Sequence, residues 1–379
     1  MGMIGGGIGS FIGDVHRKAA ALDGMIELVC GAFSSTAQKS KASGQELLLP
    51  EDRCYGSYEE MILTEKTLPE DVRMDFVAIV TPNYMHFAPA KLALENGFHV
   101  VCDKPMTLTI EEAKEIEKLV KSTGLLFALT HNYPGSPMVK QAQAMVEHGD
   151  LGMIRKLQVH YLQGWMATAV EDSDNKQAAW RVDPSKSGVG GALGDIGTHA
   201  HHLVEYITGL KVKELAADLG RFGDGRILDD DGNILLRMEN GAKGTMTLSQ
   251  IATGEENNFS IKVYGEKGSL EWHQENPNEL ITRWLDQPKK IFTPNGPGLY
   301  PQALAASRIP AGHPEGYLEA FANVYKNFAT HMNALRTKTK LDTTDYPTVI
   351  DGIRGVQFIH AAVESDKENA AWIKLNSSD

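Results

Sequence analysis

Cysteine is scarce in this chain: three in 379 residues, Cys30, Cys54 and Cys102. They share no paired spacing, which excludes a disulfide framework and a zinc ribbon. No apolar run reaches membrane-spanning length, and no charged segment precedes an apolar one at the N-terminus. A cytoplasmic chain with no membrane partner is the expectation. Positive charge is also in deficit, with 37 Lys and Arg against 49 Asp and Glu and a formal net charge of −12. That balance argues against a nucleic-acid-binding surface. Internal repeats and low-complexity tracts are missing as well. What remains is an ordinary globular composition, 42% hydrophobic and 23% charged, long enough for two domains with separate cores.

The first part alternates between short apolar strands and helices. It opens directly in the apolar segment MGMI, which points to a trimmed or unusual N-terminus, and runs into the glycine-rich turn GGGIGSFIG. A strand, such a turn and a helix begin a dinucleotide-binding unit, in which backbone N–H groups at the helix N-terminus hold a pyrophosphate. The strict G-x-G-x-x-G pattern is not met, because Ser10 takes the third position when Gly5 and Gly7 take the first two. Gly5, Gly7, Gly9, Ser10, Phe11 and Ile12 are the expected contacts. The strands IELVCGAFSS, DFVAIVTP, HVVCDKP and LLFALTHNYP follow, separated by helices. Their order predicts an α/β fold with a doubly wound parallel sheet over residues 1–134. Ligands of such sheets sit beyond the carboxyl ends of the strands, where TPNYMH, CDKP and THNYP fall. Thr81, Pro82, Asn83, His86, Asp103, Lys104 and Asn132 therefore join the cofactor candidates. The second strand ends in Ser34 and Ser35 rather than an acid, with Lys39 one turn later. Serines can bind a ribose hydroxyl or a 2′-phosphate, so these residues leave NAD and NADP both open.

Residues 135–379 change pattern. IRKLQVHYLQG, VKELAADLG, NILLRMENGAKGTMTLSQIA and FSIKVYGEKGSLEWH show strand-like alternation with tight turns. They predict a second domain with a mostly antiparallel sheet. At its front stands GDIGTHAHH. Four residues advance an α-helix by roughly 400°, so Asp195 and His199 share one face, a carboxylate beside an imidazole suited to proton transfer. His199 and His202 with Asp195 could instead hold zinc, while His201 points away. The acidic run Asp229, Asp230, Asp231 lacks the periodicity of a calcium loop and reads as a turn before a strand. Trp165, Trp180 and Arg181 precede the helix, and aromatic faces with a guanidinium suit a ring of hydroxyls. His313, between a proline-rich loop and a helix, is a further candidate to close over a substrate.

Taken together, the GGGIGS turn, TPNYMH, CDKP and GDIGTHAHH resemble the glucose–fructose oxidoreductase / inositol dehydrogenase (Gfo/Idh/MocA) family, over nearly the whole chain. Asp103 replaces the more usual Glu of the Lys-Pro motif, and His202 stands where many relatives carry Asp. The resemblance implies a catalytic set of Lys104, beside the nicotinamide and the substrate hydroxyl, His199, which accepts the hydroxyl proton, and Asp195, which orients His199 or binds substrate. Trp165, Arg181, His202 and His313 would complete the substrate contacts. It gives residues 135–379 as an α/β domain with a large, mostly antiparallel open sheet for substrate binding and oligomerisation. It favours NAD over NADP, needs no metal, and implies a homodimer or homotetramer. The implied activity is reversible oxidation of a secondary ring hydroxyl in a cyclic polyol or sugar, inositol-like. A sugar or glycoside 3-dehydrogenase, a ketose reductase, or a cofactor-binding regulatory or scaffold protein are the alternatives. Ser34→Asp is expected to disfavour NADP by repelling its 2′-phosphate. The ratio of dissociation constants for the two cofactors checks this, and an unchanged ratio would mean that the ribose end binds elsewhere.

Overall fold

The computed structural model describes residues 1–169, 180–341 and 344–375. The chain divides into two compact units, Met1–His131 with Phe321–Ile353, and Asn132–Ala320 with Arg354–Asp379. A linear split between residues 134 and 135 misses the return of Phe321–Ile353 to the first unit. Helical periodicity reveals an apolar face but not which sheet that face covers.

The first unit holds a five-stranded parallel sheet in the order β2-β1-β3-β4-β5. Its strands are β1 (Gly2–Gly5), β2 (Cys30–Ala32), β3 (Phe76–Val80), β4 (His99–Cys102) and β5 (Phe127–Leu129). Every residue of β3 is buried, as expected of a parallel strand covered on both faces. Helix α1 (Phe11–Ala21) begins at Ser10, whose side chain accepts the Gly13 N–H. Helices α2 (Ala37–Glu46), α3 (Tyr58–Glu65) and α4 (Phe87–Glu95) follow. Helix α5 (Ile110–Thr123) starts with a reciprocal capping box between Thr109 and Glu112 and stops at Gly124 in a left-handed conformation. The returning segment covers this unit with aromatics: Phe328 meets Phe76 edge-on at 5.2 Å, and Phe321 meets His16 at 4.7 Å. It also closes the sheet edge, where Leu129 N–H donates to the Pro347 carbonyl at 2.8 Å.

In the second unit the strands that shape the site are β6 (Ile154–Leu162), β8 (Asp231–Met238), β9 (Lys243–Ser249) and β10 (Asn258–Gly265). They are framed by β7 (Val212–Gly220), β11 (Gly268–His273), β12 (Leu280–Trp284), β13 (Lys290–Phe292) and β14 (Ile373–Lys374). Together they form a nine-stranded sheet in the order β13-β12-β11-β10-β6-β9-β8-β7-β14. Among the described residues only β6 and β9 pair in parallel in this sheet, and the other pairings are antiparallel. Alternation is plain in β8, where Gly232, Ile234, Leu236 and Met238 are buried and Asn233 and Leu235 are exposed. Helix α6 (Pro137–Glu147), a later helix over Thr198–Thr208 and the second half of Val349–Lys367 contribute Met138, Leu203 and Phe358 to the core on one side of the sheet. Among the described residues no helix is long and apolar enough to cross a membrane.

His16 makes the first unit sensitive to acid. It is fully buried, and its Nδ1 lies 2.6 Å from the Tyr325 hydroxyl. Burial lowers its pKa to about 4, against a partial opposing effect from Asp103. The folded state thus holds His16 neutral, whereas the unfolded chain protonates near 6.5, so stability present above that value is lost as pH falls from 6.5 toward 4. The loss from His16 alone is about 3 kcal/mol. In calorimetric scans across that range, His16→Gln is expected to flatten the fall of the unfolding temperature. An unchanged slope would remove His16 as its source.

Candidate active site

Three strand ends gather at one edge of the first unit's sheet, with β1 ending at Gly5, β3 at Val80 and β4 at Cys102. The chain's progression across the sheet reverses between β1 and β3, the switch point at which open α/β sheets bind ligands. In the turn after β1, Gly7 N–H donates to the Phe33 carbonyl at 3.2 Å and Ile8 N–H to Ser43 Oγ at 3.2 Å. A Cβ on Gly13 would lie 2.3 Å from the Cα of Gly6. Helix α1 therefore approaches the turn at a distance that only glycine permits, and Gly6 with Gly13 replaces the missing third glycine of the strict pattern. Such a cradle at a helix N-terminus fits a pyrophosphate. Around it, Phe11 is exposed and Ile12 half-buried, and Ser34 is half-buried while Ser35 and Lys39 are exposed.

The turn bearing Lys104 is held by its neighbours. His86 Nδ1 lies 2.7 Å from the Pro105 carbonyl and its Nε2 2.9 Å from the Thr81 carbonyl, tying the end of β3 to this turn. Burial, partly opposed by Asp103, lowers the His86 pKa from its ordinary value. Asp103 Oδ1 accepts from the Lys104 N–H at 2.9 Å and from Thr130 Oγ1 at 2.8 Å. One oxygen of this expected cofactor contact thus shapes its own turn. Thr81 and Pro82 are half-buried and Asn83 is buried.

Asp195 and His199 belong to the second unit. Asp195 lies in a π-helical turn, Leu193–Gly197, that leads into the helix Thr198–Thr208; the expectation of a regular α-helical start is corrected to a widened turn. Asp195 Oδ2 accepts from Gln250 Nε2 at 2.9 Å and from Arg181 Nε at 3.2 Å. The hydrogen bonding continues outward. Gln250 reaches Gln163 Oε1 at 3.4 Å, Gln163 donates to Asn257 Oδ1 at 2.8 Å, and Tyr161 donates to the same oxygen at 2.9 Å. The Tyr161 and Tyr133 hydroxyls lie 2.5 Å apart, and the Tyr133 ring meets buried His199 edge-on at 5.0 Å. One polar run thus links the surroundings of Asp195 to those of His199. Burial raises the pKa of both tyrosines, so they serve as neutral phenols. The Arg181 guanidinium faces the rings of Trp180 at 4.5 Å and Trp165 at 5.9 Å.

The remaining candidates are distributed differently. Asn132 is buried, and its Nδ2 has no hydrogen-bond partner among the described residues, an amide donor suited to a ligand. His201 faces Glu205 at 3.3 Å, and Glu205 also receives two hydrogen bonds from Arg354. Burial opposes the Glu205 charge, but His201 and Arg354 outweigh it and hold the carboxyl well below the usual range. His202 is buried and lies nearly parallel to the Tyr206 ring at 6.1 Å. His313 is exposed, with Nδ1 3.1 Å from the Pro310 carbonyl, on a loop whose Arg308 and Ile309 N–H groups donate to buried Glu315.

Sequence reasoning passed over Tyr133, Tyr161, Gln163, Gln250 and Asn257. A signal existed: Gln163 and Gln250 directly follow two strands, and the strand-end argument used for the first domain would have found them. The acidic run also needs correction, since it is more than a turn. Asp229 is buried and its carboxylate accepts the Gly191 N–H at 2.7 Å and the Leu193 N–H at 2.6 Å. Burial pushes its pKa up to about 6, although those hydrogen bonds pull it down. Asp230 pairs with Arg226 at 3.0 Å, both buried.

Comparison with known proteins adds a family context. Residues 1–131 match the model described as "Oxidoreductase family, NAD-binding Rossmann fold", and residues 139–271 match the GFO/IDH/MocA C-terminal domain. An oxidoreductase from Sinorhizobium meliloti is 45% identical with a TM-score of 0.88, covering 98% of both chains. An inositol dehydrogenase homolog from Azotobacter vinelandii, solved with NAD+, is 35% identical with a TM-score of 0.95, covering 98% of this chain and 96% of its own; it has also been solved with NADH and myo-inositol. Levoglucosan dehydrogenase of Pseudarthrobacter phenanthrenivorans is 30% identical over 79% of this chain and 83% of its own. Gly13→Ala is expected to weaken NAD binding by about tenfold or more, because its Cβ must displace Gly6 from the pyrophosphate turn. Titration calorimetry checks it, and unchanged affinity would show that the turn does not hold the cofactor.

Proposed function

Since the chain belongs to the GFO/IDH/MocA oxidoreductase family, with an NAD-binding Rossmann domain in its first unit, we propose that it oxidises a secondary ring hydroxyl of an inositol-like cyclic polyol to a ketone, reversibly. The observation that carries this reading is the polar run around Asp195 and His199. The amides of Gln163, Gln250 and Asn257 and two neutral phenols bond to one another and surround Asp195 and His199 with a polar wall whose remaining donor and acceptor capacity suits a hydroxylated ring. The indole faces of Trp165 and Trp180 suit the C–H faces of a ring. The myo-inositol complex of the Azotobacter homolog supports the same substrate class.

NAD, when bound, supplies the hydride acceptor. The remaining work falls to the chain. Lys104 places an ammonium where alkoxide character develops and stabilises it. His199 takes the hydroxyl proton. Asp195, one turn away, supplies the negative charge that favours the resulting imidazolium. His86 and Asp103 fix the Lys104 turn through the hydrogen bonds already described. A sugar or glycoside dehydrogenase is the second reading, favoured by the similarity to levoglucosan dehydrogenase.

Inositol isomers, levoglucosan and glucose, each with NAD and with NADP, separate these readings through the absorbance of the reduced nicotinamide. Turnover confined to inositols supports the proposal, and turnover confined to levoglucosan or glucose supports the second reading. Cofactor binding without turnover of any of them would favour a scaffold role. Lys104→Ala and His199→Ala are each expected to lose most of the turnover while keeping NAD affinity within a few-fold. Near-parental rates in either variant would remove that residue from the chemistry.

A further inference from the structure

The turn that presents Asp195 depends on a residue outside the polar run. Gly191, Ala192 and Leu193 enter the π-helical turn with N–H groups that have no intrahelical partner, as at any helix start. Here they meet one residue: the two carboxylate oxygens of Asp229 accept from Gly191 and Leu193, and its backbone carbonyl accepts from Ala192 at 2.8 Å. The fit is tight, since a Cβ on Gly191 would lie 2.1 Å from that same carbonyl oxygen. The next residue reaches Asp195 from the other side. The Asp230 carbonyl accepts the Gln250 N–H at 2.9 Å, and the Gln250 side chain donates to Asp195. A small cavity bordered by Arg181, Gly191, Asp229 and Gln250 marks where these segments converge.

We infer that Asp229 is a positioning residue that fixes the turn from which Asp195 and His199 are presented, acting through backbone hydrogen bonds. Its importance to turnover rests on the reading that Asp195 and His199 carry the chemistry. A buried carboxylate is costly, and two buried N–H groups facing it are the compensation. An amide at this position keeps one acceptor and turns an N–H donor toward the other N–H. Replacing the charge also relieves the burial cost, so global stability need not fall while the turn loosens.

Asp229→Asn in the full chain tests this, with Asp229→Ser as a second variant should the first fold poorly. Hydrogen exchange read by mass spectrometry is expected to quicken about tenfold or more across residues 191–199, with β6 and β10 unchanged. In protein labelled with 15N-histidine, the His199 ring signals, identified by their loss in His199→Gln, should shift. Parental exchange across 191–199 together with unmoved His199 signals would overturn the inference. A lowered unfolding temperature with unmoved His199 signals would also overturn it, leaving Asp229 a purely structural group. Turnover of myo-inositol with NAD, measured in parallel for Asp195→Asn and His199→Ala, addresses the underlying reading separately. If those variants keep parental rates, or the parent itself shows none, that reading fails while the exchange and resonance results still decide the role of Asp229.

Discussion

A buried N–H group must find an acceptor, and in the second unit that demand converges on Asp229. Without its carboxylate the turn at residues 191–193 would bring orphaned donors into a core formed by Leu193, Ile196 and Leu248. With it, the chain can widen into a π turn and carry Asp195 toward Arg181 and Gln250. The polar run through Gln163, Asn257, Tyr161 and Tyr133 then has a fixed end to build from. Each link in such a run restrains the next, which is why such runs are rigid when complete.

The first unit answers a different constraint. A pyrophosphate can approach backbone N–H groups only where side chains are absent. Gly9, with nothing within 4 Å of where a Cβ would stand, leaves such space open, while Gly13 packed on Gly6 holds the helix against the turn. Beside it, His86 and Asp103 use their side chains on backbone groups, holding the strand-end turns. Buried polar residues in both units thus shape the turns on which the exposed or half-buried candidates stand.

Much of this was legible in the chain. The apolar strands DFVAIVTP and HVVCDKP, the glycine turn and the alternation of NILLRME each announced its element, because burial on two faces or one leaves a period in the sequence. Lys104, Asp195 and His199 stood out by motif. Gln163 and Gln250 could have been placed by their position directly after two strands, but their partners, and the part of Asn257 in the same run, depend on packing that the sequence does not show. Asp229 was misread for a related reason: a carboxylate beside two others suggests a solvated turn until burial is known. His201 and His202 were equally ambiguous, and the fold turned the first toward Glu205 and laid the second along Tyr206.

The sequence by itself determined the class of each half, the position of the glycine turn and the motif residues, since these follow from local periodicity and short spacing. Tertiary structure alone decided that Phe321–Ile353 rejoins the first unit, that Gly13 meets Gly6, and that Asp229 meets Gly191 and Leu193 across 36 to 38 positions of chain. Contacts between residues distant in sequence are set by packing and by the need to satisfy buried polar groups, and neither leaves a period to be read along the chain.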